Sequence, residues 1–128
     1  MTKMTREWVE KAEADYDVVL LLRKSRNRRR YDTIRFHCQQ CVEKYLEAVV
    51  QEEGERVPRT HDLTELLKLV LPLEPTWFRL HGELEELTKA AVLSRYPGPM
   101  ADSDQARRAY KVCTEVRSLV RARLGMRA

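Results

Sequence analysis

The chain has 128 residues, a formal net charge of +4, four Gly, five Pro and three Cys. That length suits one domain with a core of its own. It excludes a bilayer span, because no apolar run approaches the ~18–20 residues required, and an odd cysteine count argues against a disulfide framework. The charged N-terminal stretch has no apolar core of a signal peptide, so a cytoplasmic protein with no membrane association is expected. Arginine outnumbers lysine and Asn27 is the single asparagine, a composition suggesting a thermophilic or GC-rich source.

Apolar residues recur at steps of three and four throughout, and no run of alternating β-branched residues stands out. An all-α fold is therefore expected. The first helix is predicted from Thr5, as N-cap, to Lys24, with Trp8, Ala12, Tyr16, Val19 and Leu22 as its stripe. Asp15 lies at the edge of that stripe and needs a partner, since an unpaired buried carboxylate is costly. Residues 23–30, RKSRNRRR, carry six basic side chains in eight and suit the negative end of the first helix.

The second helix, Tyr31 to Glu53, is the longest uninterrupted pattern. Ile34, Cys38, Cys41, Val42, Tyr45, Leu46 and Val49 form its apolar stripe, and Gly54 stands where a terminating glycine belongs. Cys38 and Cys41 have the spacing of a metal or redox pair but lie inside a helix with no second pair, so they and Cys113 read as buried hydrophobes. Phe36, Gln39, Gln40, Glu43 and Lys44 fall off the stripe and form a candidate polar site.

A short third helix is predicted from Asp62 to Leu71 with Thr60 as N-cap and Leu63, Leu66, Leu67 and Val70 inward. Pro72 and Pro75 break the chain. A fourth helix follows from Thr76 to Val92, with Trp77, Leu80, Leu84, Leu87 and Ala91 inward. After a Pro- and Gly-containing loop, Asp102 and Gln105 have capping-box spacing for a fifth helix, Ser103 to Leu124. Four long helices and one short one imply an antiparallel up-and-down bundle over residues 1–128.

Four strings now stand in order: Ala12 to Asp15 on the first helix; Gln39, Gln40, Glu43 and Lys44 on the second; Thr60, His61 and Asp62 at the turn, followed by Leu66 and Leu67; and Arg95, Tyr96 and Pro97 after the fourth helix. Together they resemble the HEPN family (higher eukaryotes and prokaryotes nucleotide-binding domain). The resemblance implies a helical bundle, often a homodimer, commonly paired with a minimal nucleotidyltransferase in a toxin–antitoxin-like module. Some branches are metal-independent ribonucleases that use an Arg, four to six residues and a His.

No His follows Arg95, so the acid–base residue of that motif is missing at its expected place. Arg30 to His37 and Arg56 to His61 match the bare spacing, but 17 Arg and three His produce roughly one such match by chance. His61 is expected to bond locally in its turn, and His81 to be solvated. With no phosphate-cradling glycine loop, no cofactor is expected. The reading is a non-catalytic subunit whose candidate nucleotide- or partner-binding residues are Asp15, Gln39, Gln40, Glu43, Lys44, Arg95 and Tyr96. The alternative is a ribonuclease or RNA-binding protein, motivated by the basic loop and by Arg107, Arg108, Lys111, Arg117, Arg121, Arg123 and Arg127 on the last helix. The same side chains at Asp15, Glu43, Lys44 and Arg95 would, in a purely structural role, form ion pairs between the helices.

Overall fold

The computed structural model describes all residues 1–128. It contains α1 (Lys3–Lys24), α2 (Arg30–Glu52), α3 (Leu63–Val70), a 3₁₀ segment (Pro75–Leu80), α4 (His81–Leu93) and α5 (Ser103–Arg123), and no strand. The all-α architecture agrees with the periodicity. Asp102 and Gln105 form the expected capping box, and Gly54 follows α2 with φ +75°, the left-handed conformation that glycine tolerates.

Three boundaries differ from expectation. The N-cap of α1 is Thr2, whose side chain accepts from the Thr5 amide. Thr5 is instead buried and donates its hydroxyl to Glu52 Oε1 at 2.9 Å, tying the start of α1 to the end of α2. The N-cap of α3 is Asp62, which accepts from Thr64 N, while Thr60 Oγ1 accepts from Asp62 N one turn earlier. The fourth helix is split. Pro75 opens a 3₁₀ segment that carries Trp77 and Leu80 into the core, and α-helical bonding begins only at His81. Proline at the first position removes a donor that a tighter turn does not need.

The core is one cluster spanning every helix, and α2 is its axis. This helix packs most extensively on α1 and α5, and further on α3 and α4, whereas α4 and α5 meet along little of their length. All seven stripe residues of α2 are buried, and so are Ala48, Val50, Gln39, Glu43 and Glu47. Between Cys38 and Val50 only Gln40 and Lys44 retain appreciable exposure. A helix covered on several sides cannot show a single apolar stripe, so its polar positions fall inside the fold. Cys38, Cys41 and Cys113 are free and fully buried. A hydrogen bond to Cys113, then burial, pushes the Cys41 thiol well above its ordinary range; a hydrogen bond to Cys38, together with burial, does the same to Cys113 against an opposing bond to Cys41. The fold thus suppresses thiolate chemistry.

Candidate functional site

Side chains at positions 36, 40 and 44 of α2 lie one turn apart on one ridge. Asp15 of α1 faces it. Its Oδ1 lies 2.8 Å from His37 Nδ1, and its Oδ2 accepts from Lys44 Nζ at 2.5 Å. The predicted need for a partner at Asp15 is met by two donors. Asp15 is 8% exposed, so its carboxylate is nearly desolvated and depends on these two part-exposed donors, whose loss would leave a buried charge.

A second group lies on the other flank. Gln39 Nε2 donates to Glu43 Oε1 at 3.1 Å and to the His61 carbonyl at 3.0 Å. Its Oε1 accepts from Gln40 Nε2 at 2.7 Å. His61 Nδ1 lies 2.9 Å from Glu43 Oε1, so this imidazole reaches across to α2 rather than bonding within its turn. Through these contacts α2 fixes the turn that starts α3. His81 is half-buried and stacks on Phe78, with ring centroids 5.5 Å apart.

Five of the seven predicted site residues, Asp15, Gln39, Gln40, Glu43 and Lys44, therefore form two neighbouring networks. Arg95 makes no ion pair with them. Its guanidinium lies 6.0 Å from the centroid of Phe36, whose ring meets His37 edge-on at 5.3 Å, so it reaches the ridge through an aromatic spacer. Tyr96 is exposed and separate. Sequence reasoning passed over Glu47, one turn beyond Glu43. It is buried, and its Oε1 has no hydrogen-bond partner. Burial, then the charge of Glu43 and a hydrogen bond to it, push the Glu47 carboxyl up to about 8 against an opposing pull from Lys44. A glutamate amid apolar neighbours at i+4 from another glutamate was the available signal.

Neither Arg–His spacing match comes together as an acid–base pair. Arg30 donates to the Asn27 carbonyl and lies over the Tyr31 ring at 4.5 Å. His37, bound to Asp15, sits about 10 Å further along the helix at 1.5 Å per residue. His61 is held by Glu43, while Arg56 is exposed and takes part in no ion pair.

Two cavities lie elsewhere. One, of about 220 Å³, is lined by Arg23, Arg30, Tyr31, Ser103, Arg107 and Tyr110, with Ile34 and Ala106 behind them. Arg23 stacks on Tyr110 at 3.8 Å. The other, of about 230 Å³, lies among α2, α4 and α5. No group of His, Cys, Asp and Glu has the arrangement of a metal site, and no helix is long and apolar enough to cross a membrane.

A small helical bundle with a Gln-Gln-Glu-Lys string on its central helix and a Thr-His-Asp turn bonded to it defines a class of protein. The model of the HEPN domain matches residues 5–123, so the chain belongs to the HEPN domain family, and with it to a group of proteins associated with nucleotides and RNA. No curated protein and no solved structure matches it.

Proposed function

We propose that the protein is a non-catalytic HEPN subunit that works by binding a protein partner, a minimal nucleotidyltransferase, in a toxin–antitoxin-like module, and that it self-associates as a homodimer. One observation carries this reading: Arg95, whose guanidinium lies over Phe36 of the braced ridge, belongs to a chain segment rich in exposed apolar side chains. His37, Gln40, Lys44 and Arg95 present partly exposed heads. Their neighbours Asp15, Gln39 and Phe36 fix them in place. Within nine residues of chain around Arg95, Val92, Leu93, Tyr96 and Met100 stand more than half exposed. Exposed apolar clusters with a polar margin are the usual character of protein interfaces. Asp15, Gln39, Glu43 and Lys44 then act as the frame of this face, while Gln40, Arg95 and Tyr96 contact the partner.

The test is sedimentation and size-exclusion analysis of the chain alone and with a minimal nucleotidyltransferase, taken from the adjacent reading frame where that frame encodes one. Leu93→Ser with Tyr96→Ser is expected to weaken association at least ~10-fold while leaving helical content intact, because both side chains are exposed. Wild-type chain that stays monomeric at micromolar concentration and ignores the nucleotidyltransferase would overturn the proposal.

A second reading, RNA binding, rests on the Arg23–Arg30–Arg107 cavity. It adjoins the exposed Arg26, Arg28 and Arg29; no carboxylate is among its lining residues, and Arg107 alone of its three arginines is in an ion pair, with Asp104 at 3.0 Å. Phosphodiester contacts there would make binding salt-dependent. Fluorescence anisotropy with single-stranded RNA is expected to show weakened binding for Arg107→Ala, with the salt slope reduced by about one phosphate contact. RNA should remain uncleaved without metal, as neither His37 nor His61 has an arginine partner. Cleavage lost in His37→Ala or His61→Ala would reverse that assignment.

A further inference from the structure

Between α2 and α3 the chain turns back along α2 as a strap, residues 55–61, held at two places. It leaves α2 at Gly54, whose φ of +75° reverses the chain, and Glu55 N donates to the Val50 carbonyl at 3.3 Å. It rejoins α2 at His61. The His61 carbonyl accepts from Gln39 Nε2 at 3.0 Å, and its Nδ1 donates to Glu43 Oε1 at 2.9 Å, since a carboxylate only accepts. Between these anchors Val57 packs against the core, but no backbone N–H from Arg56 to His61 donates to another group of the chain. A segment with so few bonds of its own opens more readily than the helices beside it. Its far anchor hangs largely on one atom, because Glu43 Oε1 accepts from Gln39 as well as from His61.

Glu47 lies on α2 between the two anchors, one turn beyond Glu43. Both carboxyls are more than nine-tenths buried. Glu47 Oε1 has no partner, and its other oxygen meets Glu43. Two buried carboxylates so placed cannot readily both ionise, so a proton bridges them. With that proton Glu47 donates to Glu43 and leaves Glu43 Oε1 to hold Gln39 and His61. Without it, like charges face each other inside the fold, and the orphan oxygen needs donors that solvent supplies. The least firmly bonded segment in contact with this pair is the strap. Other charges are few. Lys44 of α2 opposes Glu43 in acting on Glu47 and is itself held by Asp15 of α1, beside His37. His61 of the strap faces Glu43, and no charged group of α3, α4 or α5 acts on Glu47. We propose that residues 55–61 form a proton-sensitive latch, closed while Glu43 and Glu47 share a proton and released when that proton leaves. Burial and the charge of Glu43 keep the proton on Glu47 up to about pH 8 while the strap is closed; a solvated glutamate loses it near ~4.3. Opening is therefore favoured more with each pH unit until about 8. The latch goes beyond the partner-binding proposal and does not depend on it.

Limited trypsin digestion of the full chain from pH 6 to 9, read by mass spectrometry of the earliest products, tests it. Arg56 and Arg59 are exposed in the strap. The exposed Arg26, Arg28 and Arg29 of the basic loop serve as an internal reference that carries the protease's own pH dependence. The ratio of strap to reference cleavage is expected to rise at least ~10-fold between pH 6 and 8 and then level off, since a one-proton step gives up to about tenfold per unit. Glu47→Gln, whose amide donates to Glu43 at every pH, should keep the ratio flat at its low-pH value. Glu47→Leu, which has no proton to lose, should also give a flat profile and serves where the amide variant does not fold. His61→Ala changes a side chain that is 77% exposed and removes one anchor without touching the shared proton. It should raise the ratio about 10-fold at every pH and keep the slope. Circular dichroism checks that each variant folds. A flat wild-type profile overturns the proposal. So does a slope that survives Glu47→Gln and disappears in His61→Ala, which would assign the titration to the imidazole. Cleavage within α4 at Lys89 or within α5 at Arg117 that rises in parallel with strap cleavage would mark global unfolding and equally overturn it.

Discussion

Glu47→Gln is expected to stabilise the protein at neutral and mildly alkaline pH by about 2–4 kcal/mol. Glu47 is 5% exposed, its Oε1 is without a partner, and its carboxyl holds its proton up to about pH 8. In the unfolded chain a glutamate ionises near ~4.3. Between those values the folded state binds more protons than the unfolded one, so stability falls as pH rises. The loss starts near pH ~4.3 and is complete once the pH passes about 8. At 1.36 kcal/mol per pKa unit the full effect would slightly exceed the upper figure, and partial hydration of the ionised form lowers it. The amide keeps the shape and removes the titration. Urea unfolding from pH 4 to 9 should therefore show a stability difference between wild type and Glu47→Gln that grows with pH and levels off above about 8. Parallel profiles would show that Glu47 is not the origin of the slope.

The same helix illustrates what periodicity can and cannot reveal. The stripe Ile34–Cys38–Cys41–Val42–Tyr45–Leu46–Val49 was legible because its recurrence at 3.6 residues is set by the helix itself. The burial of Gln39 and Glu43 was not, because what engages them comes from the turn before α3, some 20 residues further on. The carbonyl and imidazole of His61 that engage Gln39 and Glu43 leave no periodic trace in α2. The Thr5 and Thr60 cap assignments failed for a local reason. Each lies near another capping residue, Thr2 or Asp62, and tertiary contacts decide which is used. The gathering of Arg35, Glu83, Glu86, Arg108 and Lys111 around the cavity among α2, α4 and α5 escaped notice because they are spread across three helices. Only their i,i+3 pairing on α4 and α5 was visible in the chain. Asp15, by contrast, was identified by its position at a stripe edge, and its need for a partner was correct even though His37 was not foreseen as one.

Glu13→Gln is expected to destabilise the bundle by about 2–3 kcal/mol at pH 7. Glu13 sits on α1 and joins three helices. Its two oxygens accept from Arg117 Nε and Nη2 of α5 at 2.8 and 2.7 Å, and Oε2 also accepts from the Tyr45 hydroxyl of α2 at 2.6 Å. Arg121 lies 3.5 Å away. Tyr45 is fully buried, so its hydroxyl depends on this carboxylate and on Arg121, 3.3 Å away. The forked geometry and the low exposure of Arg117, at 18%, set this pair apart from the surface pairs Arg107–Asp104 and Lys89–Glu85, which contribute ~0–1 kcal/mol. Partial burial pushes the Glu13 carboxyl up, but the hydrogen bonds from Arg117 and Tyr45 outweigh it and leave the group below its ordinary value. Its contribution is thus fully present above the unfolded value of ~4.3 and is lost as pH falls through the lower folded value. The difference between wild type and Glu13→Gln should therefore be largest at neutral pH and shrink towards pH 2. A double-mutant cycle with Arg117→Met should return a coupling of roughly 1.5–3 kcal/mol at pH 7, as expected of hydrogen bonds to charged groups. Glu13→Gln stability loss that is equally large at pH 2 would mean that lost packing, rather than the carboxylate, separates the variants. In that event α1 and α5 would be held together by the Tyr16 contacts to Thr114 and Tyr110, and Tyr16→Phe, which deletes the 2.9 Å hydroxyl bond to Thr114, would become the more damaging change.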